Sequence, residues 1–251
     1  DSQWQVYNYQ GNDPAWILAS LEKAIENGEK PFVCLSAQQA KSKWGTRNLE
    51  RKLAEKFPDK KILRIDRESI ADPNHPAYGC MSFREKDKNF LDELLPMYDI
   101  VLTSPTVETG VSIECRHFTS VWGIFQGVQT PDSVRQALAR IRANIPRHIW
   151  IRGCGINRIG NGATSVSSLL ASQHKLTQAH ISLLTQADFD EDIDTDFQRG
   201  ALLAWAKRAA VTNLGMRWYK KTIIAALAEE GHIVQQVGED GVMPIKVSGD
   251  D

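Results

Sequence analysis

Features that would mark a membrane protein or a strongly charged protein are missing from this 251-residue sequence. No window holds about eighteen consecutive apolar residues, the length that a helix needs to cross a bilayer, so no membrane partner is expected. Neither sign of charge is in excess, because 30 Lys and Arg residues stand against 31 Asp and Glu residues. This balance argues against nucleic-acid binding over the whole surface and leaves room for a local basic strip.

The sequence is also poor in cysteine, and its cysteines form no zinc-binding pattern. They are Cys34, Cys80, Cys115 and Cys154, and no two of them make a Cys-x-x-Cys pair. Because Cys34 and Cys115 lie in or beside apolar runs, we interpret them as buried, reduced thiols of a cytoplasmic protein. The six histidines show no ligand spacing, so we assign no metal to the chain.

A starting methionine and a secretory leader are absent as well. The chain begins with Asp1 and has no basic segment followed by an apolar one. We therefore expect it to be an excerpt from a longer polypeptide, with part of the function outside it. Its length is enough to bury a large core and is typical of more than one domain.

Apolar runs of strand length alternate with helical patterns over the first 152 residues. The predicted strands cover residues 31–37, 61–66, 98–103, 118–125 and 148–152. The predicted helices cover residues 13–28, 38–57, 89–95 and 130–142, and residues 67–84 are predicted to form a loop. This alternation predicts an α/β fold, with a parallel sheet and helices on both faces. The loops after Leu35, Asp66, Leu102 and Phe125 are then expected to share one edge, where ligands bind.

The composition changes after Gly153, where closely spaced glycines indicate a flexible join. Helical patterns follow over residues 165–184, 197–212 and 216–230, and the acidic run 188–196 is interpreted as a solvated helix start. Residues 232–237 and 242–247 predict a terminal β-hairpin. We therefore expect one domain over residues 1–155 and a mostly helical accessory region over 156–251, in an order compatible with a winged helix.

Two stretches carry the functional signal. Residues 99–113 form an apolar strand that enters a turn rich in Ser, Thr and Gly, whose backbone N–H groups can receive a phosphate. Residues 130–142 form a helix with Thr130 as its cap, Pro131 at its first position, and Arg140 and Arg142 near its end. Arginines there can hold another phosphate or stabilise the charge that develops when one is transferred. Each stretch alone has an ordinary interpretation, a capped turn or a solvated arginine face; together they indicate phosphate chemistry.

Sequence motifs in these two stretches resemble those of a known family. Ser104-Pro-Thr-Val-Glu-Thr-Gly-Val-Ser112 and Gln136-Ala-Leu-Ala-Arg-Ile-Arg142 are similar to motifs V and VI of superfamily 2 helicases, in particular replication-origin-binding helicases and the large plasmid replication proteins of cyanobacteria. The resemblance covers about residues 31–152. Such enzymes hold ATP between two RecA-like lobes. This chain has no Gly-x-x-x-x-Gly-Lys-[Ser/Thr] loop and no acid pair for magnesium, so it resembles the second lobe alone.

The resemblance implies roles for nine residues. Contacts with DNA phosphates are implied for Ser36, Ser104, Thr106 and Thr109, nucleotide contacts for Gly110 and Ser112, and catalytic roles for Gln136, Arg140 and Arg142. The sequence departs from the family pattern at one of these positions and at one neighbouring position. Ser112 stands where many relatives have an aspartate that binds ribose, and Ala139 replaces the usual glycine before the first arginine.

The leading hypothesis is therefore the C-terminal motor lobe of an ATP-dependent DNA helicase used in plasmid DNA replication. Its expected partners are DNA, ATP with magnesium, and a first RecA-like lobe in the same full-length chain. The isolated chain is expected to hydrolyse ATP poorly or not at all. Two alternatives remain open: a non-catalytic DNA-binding origin module built on a helicase lobe, and an unrelated α/β enzyme whose arginine helix binds a nucleotide sugar.

Overall fold

The computed structural model describes residues 3–36, 42–80, 88–105, 112–173, 195–238 and 241–243. Within these ranges the strands are β1 Gln5–Tyr9, β2 Pro31–Leu35, β3 Ile62–Ile65, β4 Ile100–Thr103, β5 Ser120–Phe125, β6 Arg147–Ile151, β7 Ile233–Gly238 and β8 Gly241–Met243. The helices before residue 140 are α1 Ala15–Glu26, α2 Thr46–Lys56, α3 Arg67–Ala71, α4 Lys88–Leu94 and α5 Pro131–Ala139. The later helices are α6, described over residues 166–173, α7 Thr195–Arg217 and α8 Tyr219–Glu229.

The strands form one sheet in the order β3-β4-β2-β5-β6-β1-β7-β8. Every neighbouring pair is parallel except the antiparallel hairpin of β7 and β8. A parallel strand that is covered on both faces must be apolar almost throughout, which explains why β2, β4 and β5 are buried at every position. The predicted fold class, an α/β parallel sheet with flanking helices and a helical C-terminal region, is confirmed. It is compatible with a RecA-like lobe.

Helices cover both faces of the sheet. On one face α1 and α2 contribute residues such as Ile25 and Leu53 to an apolar core. On the other face α4, α5 and α8 contribute residues such as Leu138 and Leu227 to a second core. A smaller apolar cluster around Leu169 joins α6 to α7. The two large cores hold the sheet between them and fix the directions in which its loops leave.

The expected helix over residues 38–57 is shorter than predicted, because residues 42–45 form a turn and α2 begins at Thr46. Asn48 donates from Nδ2 to the carbonyl oxygen of Ser42 at 2.6 Å, and the N–H of Gly45 bonds the same oxygen at 3.1 Å. These bonds close a turn just before the helix. Gly45 is extended, with φ −81° and ψ 163°, as is usual for the residue that precedes a helix.

The expected loop over residues 67–84 contains the short helix α3, so this prediction was wrong at its start. The Asp66 side chain accepts the N–H of Ser69, and the Ser69 hydroxyl accepts the N–H of Asp66, at 2.9 and 2.8 Å. This reciprocal arrangement satisfies two backbone donors at a helix start. The prolines and the glycine later in this segment led to the prediction of a loop, although Asp66 and Ser69 already form a pattern typical of a helix start.

Strand β1 was not predicted, and it lies between β6 and β7. The predicted hairpin near the C-terminus is confirmed, but its first strand extends the main sheet, with Gln5 opposite Ile233 and Tyr9 opposite Val237. The expected break between residues 212 and 216 was wrong, because α7 continues through Asn213 to Arg217. Across the described ranges, the helices lack the combination of length and apolar character that crossing a bilayer requires.

Candidate functional site

A short backbone bridge joins residues 99–113 to residues 130–142, the two stretches that the sequence predicts to be functional. The N–H of Ile113 donates to the carbonyl oxygen of Arg140 at 2.8 Å, and the N–H of Arg142 donates to the carbonyl oxygen of Ile113 at 3.1 Å. Ile113 and Ile141 are both buried in the core beside α5. The last residues of the Ser/Thr/Gly-rich stretch therefore lie against the end of the arginine helix.

Arg140 also lies near the other end of the same stretch. Together with Cys34, Thr103, Ser104 and Pro105 it lines a narrow space at the carboxyl ends of β2 and β4. Burial lowers the pKa of Arg140 and raises that of the neighbouring Cys34 thiol. A guanidinium held beside a neutral thiol keeps its charge at neutral pH. Arg140 thus lines a space with residues at the start of the stretch and is hydrogen-bonded to the end of the stretch through its backbone.

The other two catalytic candidates are differently placed. Gln136 and Arg142 are exposed, whereas Arg140 is only partly accessible. Ser112, beside the bridge, is partly buried. An exposed guanidinium can move to meet a phosphate brought by another domain, and a partly buried one is restricted to its present neighbours. Of the two arginines, Arg142 has the greater freedom to reach an incoming group.

The start of α5 forms as its sequence predicts. The hydroxyl of Thr130 accepts the N–H of Ser133 at 3.2 Å, and Pro131 occupies the first turn, where a missing N–H costs nothing. Val134 and Leu138 are buried against the sheet. The apolar stripe that they form fixes the rotation of the helix about its axis.

The end of α5 is held by Arg147, a residue that the sequence analysis did not select. Its side chain is fully buried and donates to the carbonyl oxygens of Leu138, Ile141, Ala143 and Ile145 at 3.3, 2.6, 2.8 and 2.6 Å. Its guanidinium carbon also lies 4.1 Å from the centre of the Trp4 ring, a cation–π contact. Burial lowers its pKa to about 10, which leaves it charged at neutral pH.

Arg147 therefore sets the path of the chain on both sides of Arg140 and Arg142. Arginines are seldom fully buried, so a strand that begins Arg-His-Ile-Trp-Ile gives little reason to expect it inside. The sequence does offer one indication. The last carbonyl groups of a helix have no partner within the helix, so a nearby donor such as Arg147 can bind them.

Helix α4 supports the bridge from the other side. The carboxylate of Asp92 accepts the N–H groups of Glu114 and Cys115, both at 3.1 Å. Because carboxylate acceptors form strong bonds with backbone N–H groups, this clamp holds the chain just after Ile113. The sequence offered no sign of it, since Asp92 is one acidic residue of a short amphipathic helix.

The predicted DNA contacts divide into those that the structure describes and those that it does not. Ser36 is buried; its hydroxyl donates to the carbonyl oxygen of Ile124 at 3.2 Å and accepts the N–H of Gln126 at 2.9 Å, which ties the carboxyl end of β2 to that of β5. Ser104 is also buried, and its N–H donates to the carbonyl oxygen of Ile65 at 3.1 Å. Thr106, Thr109 and Gly110 lie outside the described residues.

Metal ligands do not gather in the described part of the chain, where no group of three His, Cys, Asp or Glu side chains is placed to hold an ion. The positively charged groups of the site are Arg140 and Arg142, and the carboxylate of Asp92 is occupied by backbone N–H groups. The chemistry of the two arginines suits an anion, and phosphate oxygens are the partners that a guanidinium binds best.

Comparison with known proteins adds one relative. No family model matches the chain. It is 42% identical over 242 residues to an uncharacterized protein of Picosynechococcus sp. strain PCC 7002. The match covers 95% of this chain and 24% of that protein, so the chain spans about a quarter of the length of the curated relative it matches.

Proposed function

We propose that this chain is the second RecA-like lobe of an ATP-dependent DNA helicase that works in plasmid DNA replication in the cytoplasm. The observation that carries the proposal is the bridge between Ile113 and Ile141, which joins the motif V-like stretch to the motif VI-like arginines. In this proposal the first lobe of the same polypeptide holds ATP and magnesium. The present chain supplies arginines to the phosphates and small polar residues to DNA.

The two arginines have different tasks in this proposal. Arg142, which is exposed, reaches the γ-phosphate when the lobes close, and stabilises the negative charge that builds up as the phosphate is transferred to water. A charge-assisted contact of this kind contributes about 1.5–3 kcal/mol. Arg140 positions the loop, because its side chain lines a space with Ser104 and Pro105. Gln136 lies one turn before Arg140 on the exposed face of the helix.

The same arrangement offers a way to couple hydrolysis to movement on DNA. Any shift of Arg140 or Arg142 on loss of the γ-phosphate acts directly on Ile113, to which both residues are hydrogen-bonded through their backbones. The segment between Ser104 and Ile113 would change its grip on the DNA backbone in step with the nucleotide. A difference in binding energy between the ATP and ADP states is what drives such a cycle.

The test is DNA-stimulated ATP hydrolysis by a polypeptide that carries both lobes. We expect Arg142→Ala to lower turnover by about 10- to 150-fold, which is the loss that corresponds to a contact of about 1.5–3 kcal/mol. Arg152→Ala, an exposed arginine just after β6, is the matched control and should leave turnover unchanged. Equal activity of Arg142→Ala and the unaltered protein would remove the arginine role.

A second measurement separates the proposal from its alternatives. The isolated chain should bind single-stranded DNA with an affinity that falls as salt rises, with a slope of about 0.7 for each phosphate contacted. DNA binding without any arginine-dependent ATPase in the two-lobe polypeptide would favour a non-catalytic DNA-binding module. Binding of a nucleotide sugar without DNA binding would favour an unrelated α/β enzyme.

A further inference from the structure

A second basic site lies apart from the arginine helix, in the region that follows β6. A pocket of about 380 Å³ opens between the loop at residues 158–164 and the C-terminal half of α7. It is lined by Arg158, Gly162, Ala163, Thr164, Asn213 and Arg217. None of these residues belongs to the motif V-like or motif VI-like stretch. We propose that this pocket binds a phosphate group carried by a larger molecule.

The charge of the pocket comes from two arginines on different elements. Arg158 lies on the loop and Arg217 at the end of α7, and both are exposed. Within the described ranges neither guanidinium pairs with a carboxylate, although most arginines of α2, α5 and β3 do. Among the residues that the structure describes, no acidic side chain lines the pocket. The guanidinium carbon of Arg217 also lies 5.6 Å from the centre of the Trp218 ring, a contact that leaves its charge uncompensated. Two arginines that line one pocket without a carboxylate partner in the described ranges suit an anion with several oxygens.

The loop is held in place by a buried amide. Asn213 is 2% exposed; its Nδ2 donates to the carbonyl oxygens of Ile159 and Ala163, both at 2.9 Å, and its Oδ1 accepts the N–H of Ile159 at 2.8 Å. These three bonds use both hydrogens of the amide and one of its lone pairs. Asn213 therefore acts as a positioning residue that fixes the wall of the pocket, and the arginines are the groups left to meet a ligand.

A glycine allows Arg158 to lie where it does. Gly162 has φ +77°, and a Cβ added there would lie 2.8 Å from Cδ of Arg158. The backbone conformation and the close approach of the arginine both require the absence of a side chain. This local structure places the Arg158 stem against Gly162, on the loop that lines the pocket.

The size of the pocket identifies the class of ligand. A volume of about 380 Å³ exceeds that of a free phosphate ion and lies within the range of small-molecule sites. The shared chemistry is a phosphate ester, which is found in a free nucleotide and in the backbone of a nucleic acid. Polar lining by Thr164 and by backbone groups of the loop suits either source.

The experiment measures binding of three probes to the whole chain by titration calorimetry: inorganic phosphate, adenosine monophosphate and a short single-stranded oligothymidylate. We expect at least one of the two esters to bind, and Arg158→Gln or Arg217→Gln to weaken that binding by at least about tenfold. The matched control is Arg208→Gln, an exposed arginine on α7 outside the pocket. It should bind like the unaltered protein, and thermal melting of each variant checks its folding.

The outcomes separate the two sources and can overturn the proposal. Arginine-dependent binding of adenosine monophosphate identifies a free phosphate monoester, whereas binding of the oligothymidylate alone identifies a nucleic-acid backbone. If no ester binds, or if Arg158→Gln and Arg217→Gln bind as tightly as Arg208→Gln, the pocket is not a phosphate site. Arg142→Ala should retain the pocket-dependent binding, so this result stands or falls separately from the proposed motor function.

Discussion

At the scale of single residues, the charged group on which the candidate site most depends is Arg147, which touches no ligand in the proposed mechanism. Its four hydrogen bonds to carbonyl groups hold the turn that carries Arg140 and Arg142. Removing a charged donor leaves buried carbonyl oxygens without partners, which costs more than the net value of the bonds. Arg147 should therefore govern both the stability of the fold and the geometry of the arginine segment.

We predict that Arg147→Met lowers the free energy of unfolding by about 3 kcal/mol, as urea denaturation would measure it. Methionine keeps much of the apolar stem of arginine but makes no strong hydrogen bond, so packing changes less than bonding does. Arg152→Met, at an exposed position after the same strand, should stay within about 0.5 kcal/mol of the unaltered protein. A loss below about 1 kcal/mol for Arg147→Met would show that water or a rearranged turn satisfies these carbonyls.

A partly buried side chain, that of His148, makes stability depend on pH. His148 stacks on Trp122 with ring centres 3.9 Å apart and an angle of 7°, and its Nδ1 lies 2.9 Å from the hydroxyl of Tyr9. Burial lowers its pKa from 6.5 to about 4. The unfolded chain therefore binds a proton more readily than the folded chain between these two values. Stability is fully present above about pH 6.5 and falls as the pH drops towards 4.

We predict that His148→Phe flattens this dependence, because phenylalanine keeps the stack and cannot take up a proton. The unaltered protein should lose up to about 3 kcal/mol through this histidine between pH 7 and pH 4, and the variant should lack that part of the loss. His75→Asn, in the loop after α3, is the control and should keep the original slope. If the free energy of unfolding changes with pH equally in His148→Phe and in the unaltered protein, protonation of His148 does not contribute to the pH dependence.

At the scale of elements, the sequence predicts best where all local signals favour the same kind of element. The buried strands β2, β4 and β5 are unbroken apolar runs, and α5 has its cap, its proline and its apolar stripe in order. These elements were predicted within a few residues. Strand β1 was missed because Gln5–Tyr9 is neither an unbroken apolar run nor a strict alternation, and because both strands that it pairs with lie far away in the sequence.

The helix boundaries that were predicted wrongly have a common cause. At each of them a side chain makes a hydrogen bond that the hydrophobic pattern of the sequence does not reveal. The break that residues 213–215 suggested does not occur, because Asn213 bonds the loop at Ile159 and Ala163 instead of its own backbone. The candidate site shows the same limit. The sequence motifs identified Arg140 and Arg142. Asp92 and Arg147, whose hydrogen bonds hold the chain around them, could not be identified, because these bonds correspond to no periodic pattern in the sequence.

At the scale of the whole molecule, the C-terminal elements α8, β7 and β8 belong to the sheet and its core. Tyr219, Ile223 and Leu227 of α8 are fully buried in the same core as α5, and β7 pairs with β1 along its length. Arg135 of α5 also forms an ion pair with Glu230, just after α8. The sequence predicted separate regions over 1–155 and 156–251. Contacts of this extent instead favour one cooperative unit, since each part covers apolar surface of the other.

We predict that Leu227→Ala lowers the stability of the entire sheet by about 3 kcal/mol, because it leaves a cavity in a core shared by α5 and α8. Unfolding followed by tryptophan fluorescence and by far-ultraviolet circular dichroism should give one coincident transition, shifted for both probes. Leu214→Ala, at an exposed leucine of α7, is the control and should shift neither by more than about 0.5 kcal/mol. Two separate transitions, of which Leu227→Ala moves only one, would instead mean that residues 156–251 fold independently. In that case residues 1–155 would form a sheet with β1 at its edge, and this segment could be produced by itself.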